Sequence, residues 1–330
     1  MNTDAKYICR CLQLARLGEY YVAPNPMVGA VLVKDDSILS EGWHEQYGHA
    51  HAEPNCIRKA EETYPEGIDY KHCTLYVSLE PCSHYGKTPP CSELIIKKGI
   101  GRVVVGTLDP NPQVAGRGVR MMQEAGIEVK VGVLEKECKE LNKRFFCLQE
   151  KKRPYVLLKW AQTADGYIDM KRESGSPLAI STPLIKHLVH QQRAENMAIM
   201  VGTRTVLLDN PKLLTTRWSG RNPIRITLDR HGVLPLDSKI FSADAETIAY
   251  RDNTQWEYIL QDLAQRNIHS VLVEGGSTLL QHIIDTGIFD EVHIEISNQR
   301  IGNGVKAPRF TPRTQPKVVD NHQIYVERFA

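Results

Sequence analysis

No apolar run in this chain approaches the roughly 18 residues of a membrane span, so we expect no membrane partner. The N-terminus has neither the apolar core nor the small-residue cleavage site of a secretory signal, which favours a cytoplasmic protein. The formal net charge is only +2, and an excess this small does not indicate a nucleic-acid partner.

Cysteine is absent from the second half of the chain, since all eight cysteines lie at or before Cys147. The polar stretch Lys151-Lys152-Arg153-Pro154 follows this break in composition. A length of 330 residues, at about 150 residues per domain, also indicates two domains, which we place at 1–150 and 151–330. Without a secretory signal, the cysteines are expected to be thiols and metal ligands rather than disulfides.

Apolar runs of strand length alternate with helical patterns in both halves, which predicts α/β layered domains with largely parallel sheets. In the first half, a helix capped near Asp4 precedes a hairpin that turns at Asp35-Asp36. The remaining predicted elements there are helices at 52–62, 92–98, 118–124 and 135–146 and strands at 74–79, 102–105 and 127–133. In the second half, we predict strands at 155–160, 198–201, 224–228, 247–250 and 270–273 and helices at 184–192, 256–266 and 277–284.

One stretch combines an imidazole, two thiols and a carboxylate: His51-Ala52-Glu53, Pro81-Cys82 and Cys91. Zinc-dependent base deaminases use His-x-Glu followed by Pro-Cys-x-x-Cys, in which zinc activates water and the glutamate moves protons. Here the second cysteine lies nine positions after the first, so the intervening loop carries extra polar groups. The pattern predicts one zinc ion held by His51, Cys82 and Cys91, with Glu53 as the catalytic residue.

Three other interpretations remain open at this point. A structural zinc site normally has four protein ligands, and His49, His84 or Cys73 could supply the fourth. A deaminase of free or RNA-borne cytosine or adenine would share the zinc motif, although the long loop and the near-neutral charge argue against it. A zinc-stabilised binding module would keep the ligands without turnover.

Longer blocks around these ligands, at 24–29, 81–91 and 109–118, closely resemble the bifunctional riboflavin-biosynthesis deaminase-reductases. The resemblance implies an N-terminal αβα layered domain like cytidine deaminase, which deaminates a phosphoribosylated diaminopyrimidinone. It implies a second α/β domain, like dihydrofolate reductase in fold, which reduces the ribosyl group to ribityl with NADPH. It also implies a homo-oligomer, a dimer or tetramer. By correspondence, Asn25, His44, His84 and Lys87 would hold the pyrimidine substrate.

The second half has no Gly-x-Gly-x-x-Gly fingerprint, so a Rossmann domain is not supported. The resemblance supplies its candidate residues. Those expected to face the cofactor are Ala161, Thr205, Asp209 and Gly276, and those expected to face the substrate are Arg193, Leu213, Arg217 and Glu274. This half departs from the family at Ala179-Ile180-Ser181, where Trp-Ile-Thr/Ser is usual, and its segment 209–217 is one residue longer than usual.

Overall fold

The computed structural model describes residues 3–85, 89–111 and 115–329. The chain divides into two compact units, Met1–Lys151 and Lys152–Ala330. Within the described ranges, no helix has both the length and the apolar character that crossing a membrane requires.

The first unit consists of helices packed on both faces of one mixed sheet. The helices are α1 (Thr3–Ala15), α2 (Ala52–Thr63), α3 (Cys91–Lys98), α4 (Arg117–Glu124), α5 (Glu135–Leu141) and α6 (Lys143–Lys151). The strands are β1 (Gly29–Lys34), β2 (Ser37–Trp43), β3 (Thr74–Leu79), β4 (Arg102–Thr107) and β5 (Glu128–Val131), in the order β2-β1-β3-β4-β5. The strands β3, β4 and β5 run parallel, whereas β1 is antiparallel to both of its neighbours.

The predicted hairpin between β1 and β2 is confirmed. Asp35 and Asp36 have φ angles of 48° and 57°, the left-handed conformations that a tight two-residue hairpin turn requires. Gly42 on β2 permits close packing of α2, because a Cβ there would lie 2.4 Å from the backbone nitrogen of Cys56. This packing fixes the start of α2, where His51 and Glu53 lie.

The predicted helix at 135–146 is wrong in one respect, because the structure breaks it into α5 and α6 at Asn142. The side chain of Asn142 binds the backbone of Met27: its Oδ1 accepts from Met27 N at 2.8 Å and its Nδ2 donates to Met27 O at 2.9 Å. A contact between residues this far apart in sequence leaves no periodic pattern, so the helical spacing alone could not reveal the break.

The second unit is built on an eight-stranded sheet. Its strands are β6 (Tyr155–Gln162), β8 (Ala198–Val201), β9 (Ile224–Leu228), β10 (Thr247–Tyr250), β11 (Ser270–Gly275), β12 (Glu291–Ile296), β14 (Lys317–Val319) and β15 (His322–Arg328), in the order β10-β9-β8-β11-β6-β12-β15-β14. A separate small ladder joins β7 (Tyr167–Asp169) and β13 (Val305–Lys306). The helices are α7 (Pro183–Glu195), α8 (Thr203–Asp209), α9 (Trp256–Gln265) and α10 (Ser277–Thr286).

Strands β10, β9, β8, β11, β6 and β12 pair in parallel, whereas β15 is antiparallel to both of its neighbours, β12 and β14. The largest cluster of buried apolar residues in this unit includes Val156 and Leu158 of β6, Trp256 of α9 and Leu280 of α10. A smaller cluster on the opposite sheet face contains Leu157. The sheet therefore has covering elements on both faces, as an α/β layered domain requires.

Candidate active sites

Two helix N-termini and one strand end position the predicted zinc ligands. His51 precedes α2 with an extended backbone (φ −71°, ψ 176°), and Glu53 lies in the first turn of that helix. Cys91 is the first residue of α3, and Cys82 follows the end of β3. Helix N-termini favour negatively charged groups, so both helices support a thiolate and a carboxylate here.

The three ligand atoms converge to the separations that zinc requires. His51 Nδ1 lies 3.6 Å from Cys82 Sγ and 3.4 Å from Cys91 Sγ. Tetrahedral zinc, with bonds of about 2.3 Å to sulfur and about 2.0 Å to nitrogen, holds such ligands about 3.5 Å apart. The Cys91 side chain and its backbone N–H both hydrogen-bond the Cys82 sulfur, which holds the pKa of Cys82 below its usual range. The donor set fits one zinc ion.

The interpretation as a four-ligand structural site finds no support in the part of the chain that the structure describes. The metal-binding group found there consists of His51, Cys82 and Cys91. His49, His84 and Cys73 do not belong to it. Three protein ligands leave one coordination position, which is the arrangement of a catalytic rather than a structural zinc site.

Glu53 is buried beside these ligands, with only 3% of the residue exposed. Burial raises the pKa of Glu53 to about 7, although the nearby charge of His51 acts in the opposite direction. A carboxyl group with a pKa near neutrality exchanges protons readily at physiological pH, which suits an acid–base role.

Asn25 contacts His44, and the ring of His44 contacts that of His51. Asn25 Nδ2 is 3.1 Å from His44 Nε2, and His44 Nδ1 is 3.0 Å from the carbonyl oxygen of Ala50. The rings of His44 and His51 meet edge to face, with centroids 5.3 Å apart. Burial lowers the pKa of His44, so its ring is neutral and can accept from Asn25 while donating to Ala50.

The other two predicted pyrimidine-binding residues, His84 and Lys87, belong to the loop between the cysteines. His84 is exposed, and Lys87 lies outside the described residues. Elsewhere in this unit, Cys9, Cys11, Cys56 and Cys73 are free thiols, as expected, and the last three are buried.

In the second unit, the structure joins two of the four residues expected to face the substrate. Arg193 donates to both carboxylate oxygens of Glu274, and its NH1 also donates to Leu214 O at 3.2 Å. Leu213 is buried with a left-handed backbone (φ 55°), and Arg217 is exposed. Arg193 thus contacts Glu274 directly and also bonds the residue that follows Leu213.

The residues expected to face the cofactor lie near the ends of strands and helices. Ala161 is near the end of β6, and Thr205 is in the first turn of α8. Gly276 (φ 73°) precedes α10, and a Cβ on it would lie 3.5 Å from the Thr205 hydroxyl. The Asp209 carboxylate forms an ion pair with Arg172, which the sequence did not identify.

Lys159 is a further charged group that was not among the predicted site residues. Burial lowers the pKa of Lys159, while the charges of Glu274 and Glu295 oppose that effect. A lysine in the middle of the apolar strand β6 is the signal that could have identified it, because a charge is rarely buried without a partner.

Comparison with known proteins links both units to one family. The model of the cytidine and deoxycytidylate deaminase zinc-binding region matches residues 1–107, and that of the RibD C-terminal domain matches residues 154–329. The riboflavin biosynthesis protein RibD of Actinobacillus pleuropneumoniae is 39% identical over 327 residues, covering 91% of this chain and 85% of the relative. Its Escherichia coli counterpart is 35% identical over 338 residues, covering 92% and 90%.

Two solved structures resemble the whole chain. The diaminohydroxyphosphoribosylaminopyrimidine deaminase/5-amino-6-(5-phosphoribosylamino)uracil reductase of Thermotoga maritima has a TM-score of 0.88 and 39% identity, covering 99% of this chain and 98% of its own. Acinetobacter baumannii RibD has a TM-score of 0.87 and 31% identity, covering 98% of each chain. The similarity therefore extends across both units rather than to the zinc region alone.

Proposed function

The chain belongs to the RibD family of bifunctional riboflavin-biosynthesis deaminase-reductases, and on that premise we propose its substrate, its reducing cofactor and the residues that act. The substrate is 2,5-diamino-6-(5-phosphoribosylamino)pyrimidin-4-one. The protein first hydrolyses the 2-amino group and then reduces the ribosyl group to ribityl with NADPH. Residues 1–150 perform the deamination and residues 151–330 the reduction.

The observation that carries the deaminase proposal is the convergence of His51 Nδ1 and the sulfurs of Cys82 and Cys91 beside the buried Glu53. Zinc bound by these three ligands supplies a Lewis acid that makes water nucleophilic at neutral pH. Glu53 takes a proton at its carboxylate and returns it to the departing ammonia. Its burial keeps bulk water from competing for that proton.

Asn25 and His44 are proposed to orient the pyrimidine, together with His84 and Lys87 from the loop between the cysteines. An asparagine amide offers both a donor and an acceptor, which matches the edge of an aminopyrimidinone. The neutral ring of His44 holds the Asn25 amide at 3.1 Å and so defines which group Asn25 presents. A lysine on the loop suits an anionic substituent of the substrate.

For the reduction, the reductase domain implies a nicotinamide cofactor, and we propose NADPH. Ala161, Thr205, Asp209 and Gly276 would contact it, while Arg193, Leu213, Arg217 and Glu274 would face the substrate, with the two arginines suited to its ribose phosphate. Arginine matches phosphate oxygens through its planar fork of donors. The contribution of the protein to hydride transfer is mainly orientation of the nicotinamide against the sugar carbon.

The test is to supply the diaminopyrimidine with and without NADPH and to follow ammonia and NADPH absorbance separately. Ammonia should appear in both reactions, and NADPH should be consumed only after deamination. Absence of ammonia release from the zinc-loaded protein would contradict the deaminase proposal. We also propose a homo-oligomer, a dimer or tetramer, which light scattering would test.

A further inference from the structure

Asn142 lies between α5 and α6, and its side chain bonds a residue that is remote in sequence from both helices. Only 3% of the residue is exposed. Its Oδ1 accepts from Met27 N at 2.8 Å, and its Nδ2 donates to Met27 O at 2.9 Å. The side-chain amide therefore bonds Met27 as a neighbouring strand would, through one donor and one acceptor.

This use of the side chain is unusual for its position. The backbone oxygen of Asn142 accepts from Phe146 N at 2.9 Å, so the residue occupies the N-cap position of α6. An asparagine there commonly turns its oxygen toward the first N–H groups of its own helix. Here the oxygen instead binds a segment 115 residues earlier in the chain. The contact therefore holds the Met27 segment in place rather than capping α6.

The segment that Asn142 holds leads directly to the pyrimidine-binding residues. Asn25 lies two residues before Met27, and its Nδ2 contacts His44 Nε2. On the other side of Met27, Val28 O accepts from His44 N at 2.9 Å. His44 Nδ1 in turn contacts Ala50 O, one residue before the zinc ligand His51. A displacement at Met27 would therefore move Asn25 relative to His44.

We propose that Asn142 is a positioning residue for the deamination, acting through Met27 to fix the amide of Asn25 against His44. The inference rests on the proposed role of Asn25 and His44 in holding the pyrimidine. Asn142 does not act through the zinc ligands. It sets the position of the Asn25 amide that contacts the edge of the pyrimidine. Loss of Asn142 should weaken substrate binding rather than remove zinc or the acid–base group.

The test is a double-mutant cycle with Asn142→Ala and Asn25→Ala, measured as KM and kcat for ammonia release. Asn142→Ala should raise KM on the order of tenfold, because small misplacements of binding groups are costly. In the Asn25→Ala background the same change should have less than about a twofold effect, since coupled residues are not additive. Zinc content and the reduction of the deaminated product should be unchanged.

Tyr7→Phe is a matched control, because Tyr7 is also buried and also donates one hydrogen bond to a backbone oxygen, that of Asp36 at 2.6 Å. It should leave KM for deamination unchanged. If Asn142→Ala does not fold, Asn142→Asp keeps the shape and the acceptor, and the same cycle applies to it.

Additive effects in the cycle, or an unchanged KM for the Asn142 variant, would overturn the positioning role. Failure of the wild type to release ammonia would instead contradict the proposed function. The two failures are therefore distinguishable.

Discussion

Arg193 and Glu274 form a bidentate ion pair in the second unit, with Nε to Oε1 at 2.9 Å and NH2 to Oε2 at 2.6 Å. The two side chains are only 16% and 12% exposed. Burial would raise the pKa of Glu274, but Arg193 and Lys159 hold it below its usual range. Glu274 is therefore ionised at neutral pH and keeps the guanidinium of Arg193 in a fixed orientation.

Glu274→Gln should impair the reduction and destabilise the second unit, because it leaves Arg193 buried without its counter-charge. Breaking one partner of a buried pair costs about 3–5 kcal/mol. The measurements are NADPH consumption with the deaminated product and thermal unfolding. Arg266→Ala is the control, since Arg266 pairs with Asp262 at the surface and should contribute less than about 1 kcal/mol. A thermally unaltered, fully active Glu274→Gln would contradict this role.

Cys91→Ser should release zinc and abolish ammonia release while leaving the reduction intact. A hydroxyl is a far poorer zinc ligand than a thiolate, and two protein ligands do not hold the ion. Metal analysis of the purified protein, together with both assays, checks the result. Cys9→Ser is the matched change, because Cys9 is a partly exposed thiol outside the metal-binding group, and it should retain one zinc per chain. Equal zinc content in the two variants would contradict the ligand assignment.

Arg172→Ala should raise KM for NADPH several-fold. Arg172 pairs with Asp209, which is proposed to face the cofactor, and it also donates to Asp169 at 2.7 Å and to the carbonyl oxygen of Gly175 at 2.8 Å. Without it, the Asp209 carboxylate loses its fixed orientation. Lys171→Ala removes a neighbouring exposed charge and should have no such effect. An unchanged or lower KM for Arg172→Ala would show that Asp209 does not depend on the pair.

Asp4 should make the first unit sensitive to acid. The Arg102 guanidinium, bonded to both Asp4 oxygens at 2.9 and 3.0 Å, holds the pKa of Asp4 below its usual value of 3.8. A carboxyl group with a depressed folded-state pKa contributes stability above its unfolded-state pKa, and this stability is lost as the pH falls below about 4. Lys130 adds a further contact at 2.7 Å.

Hydrogen exchange of the peptide 3–15 checks this dependence. At pH 7, Asp4→Asn should lower the free energy of opening by about 2 kcal/mol, as for a hydrogen bond to a charged group. Between pH 5 and pH 2.5, the wild type should lose protection more steeply than the variant, because only the wild type has this carboxyl to titrate. Parallel pH curves for the two proteins would contradict the assignment.

The elements that the sequence predicted best are those whose pattern is local. Strand β3 was predicted with its observed bounds, and so were β8, β9 and β10, because each is a short apolar run between turn signals. The zinc ligands were predicted for a related reason, since their chemistry is limited to few residue types at short spacing. Both the short apolar runs and the closely spaced ligand residues can be recognised from neighbouring residues alone.

Elements that depend on distant partners could not be predicted in this way. Strand β12 carries Glu291, His293 and Glu295, which read as a polar segment. Their groups are satisfied by partners elsewhere in the fold: Tyr155 donates to Glu291 at 2.6 Å, and His322 of β15 lies 2.7 Å from Glu295. The break at Asn142 has the same cause, because its partner Met27 is remote in sequence.

Glu53 is proposed to move protons for deamination in one unit, while the other unit carries out the reduction independently. The most direct measurement compares wild type and Glu53→Gln for ammonia release from the diaminopyrimidine and for NADPH consumption with the deaminated product. Glu53→Gln should bind zinc and reduce normally, but release ammonia on the order of 10²–10⁴ times more slowly, the contribution of a positioned acid–base group. Equal rates of ammonia release by the two proteins would contradict the account.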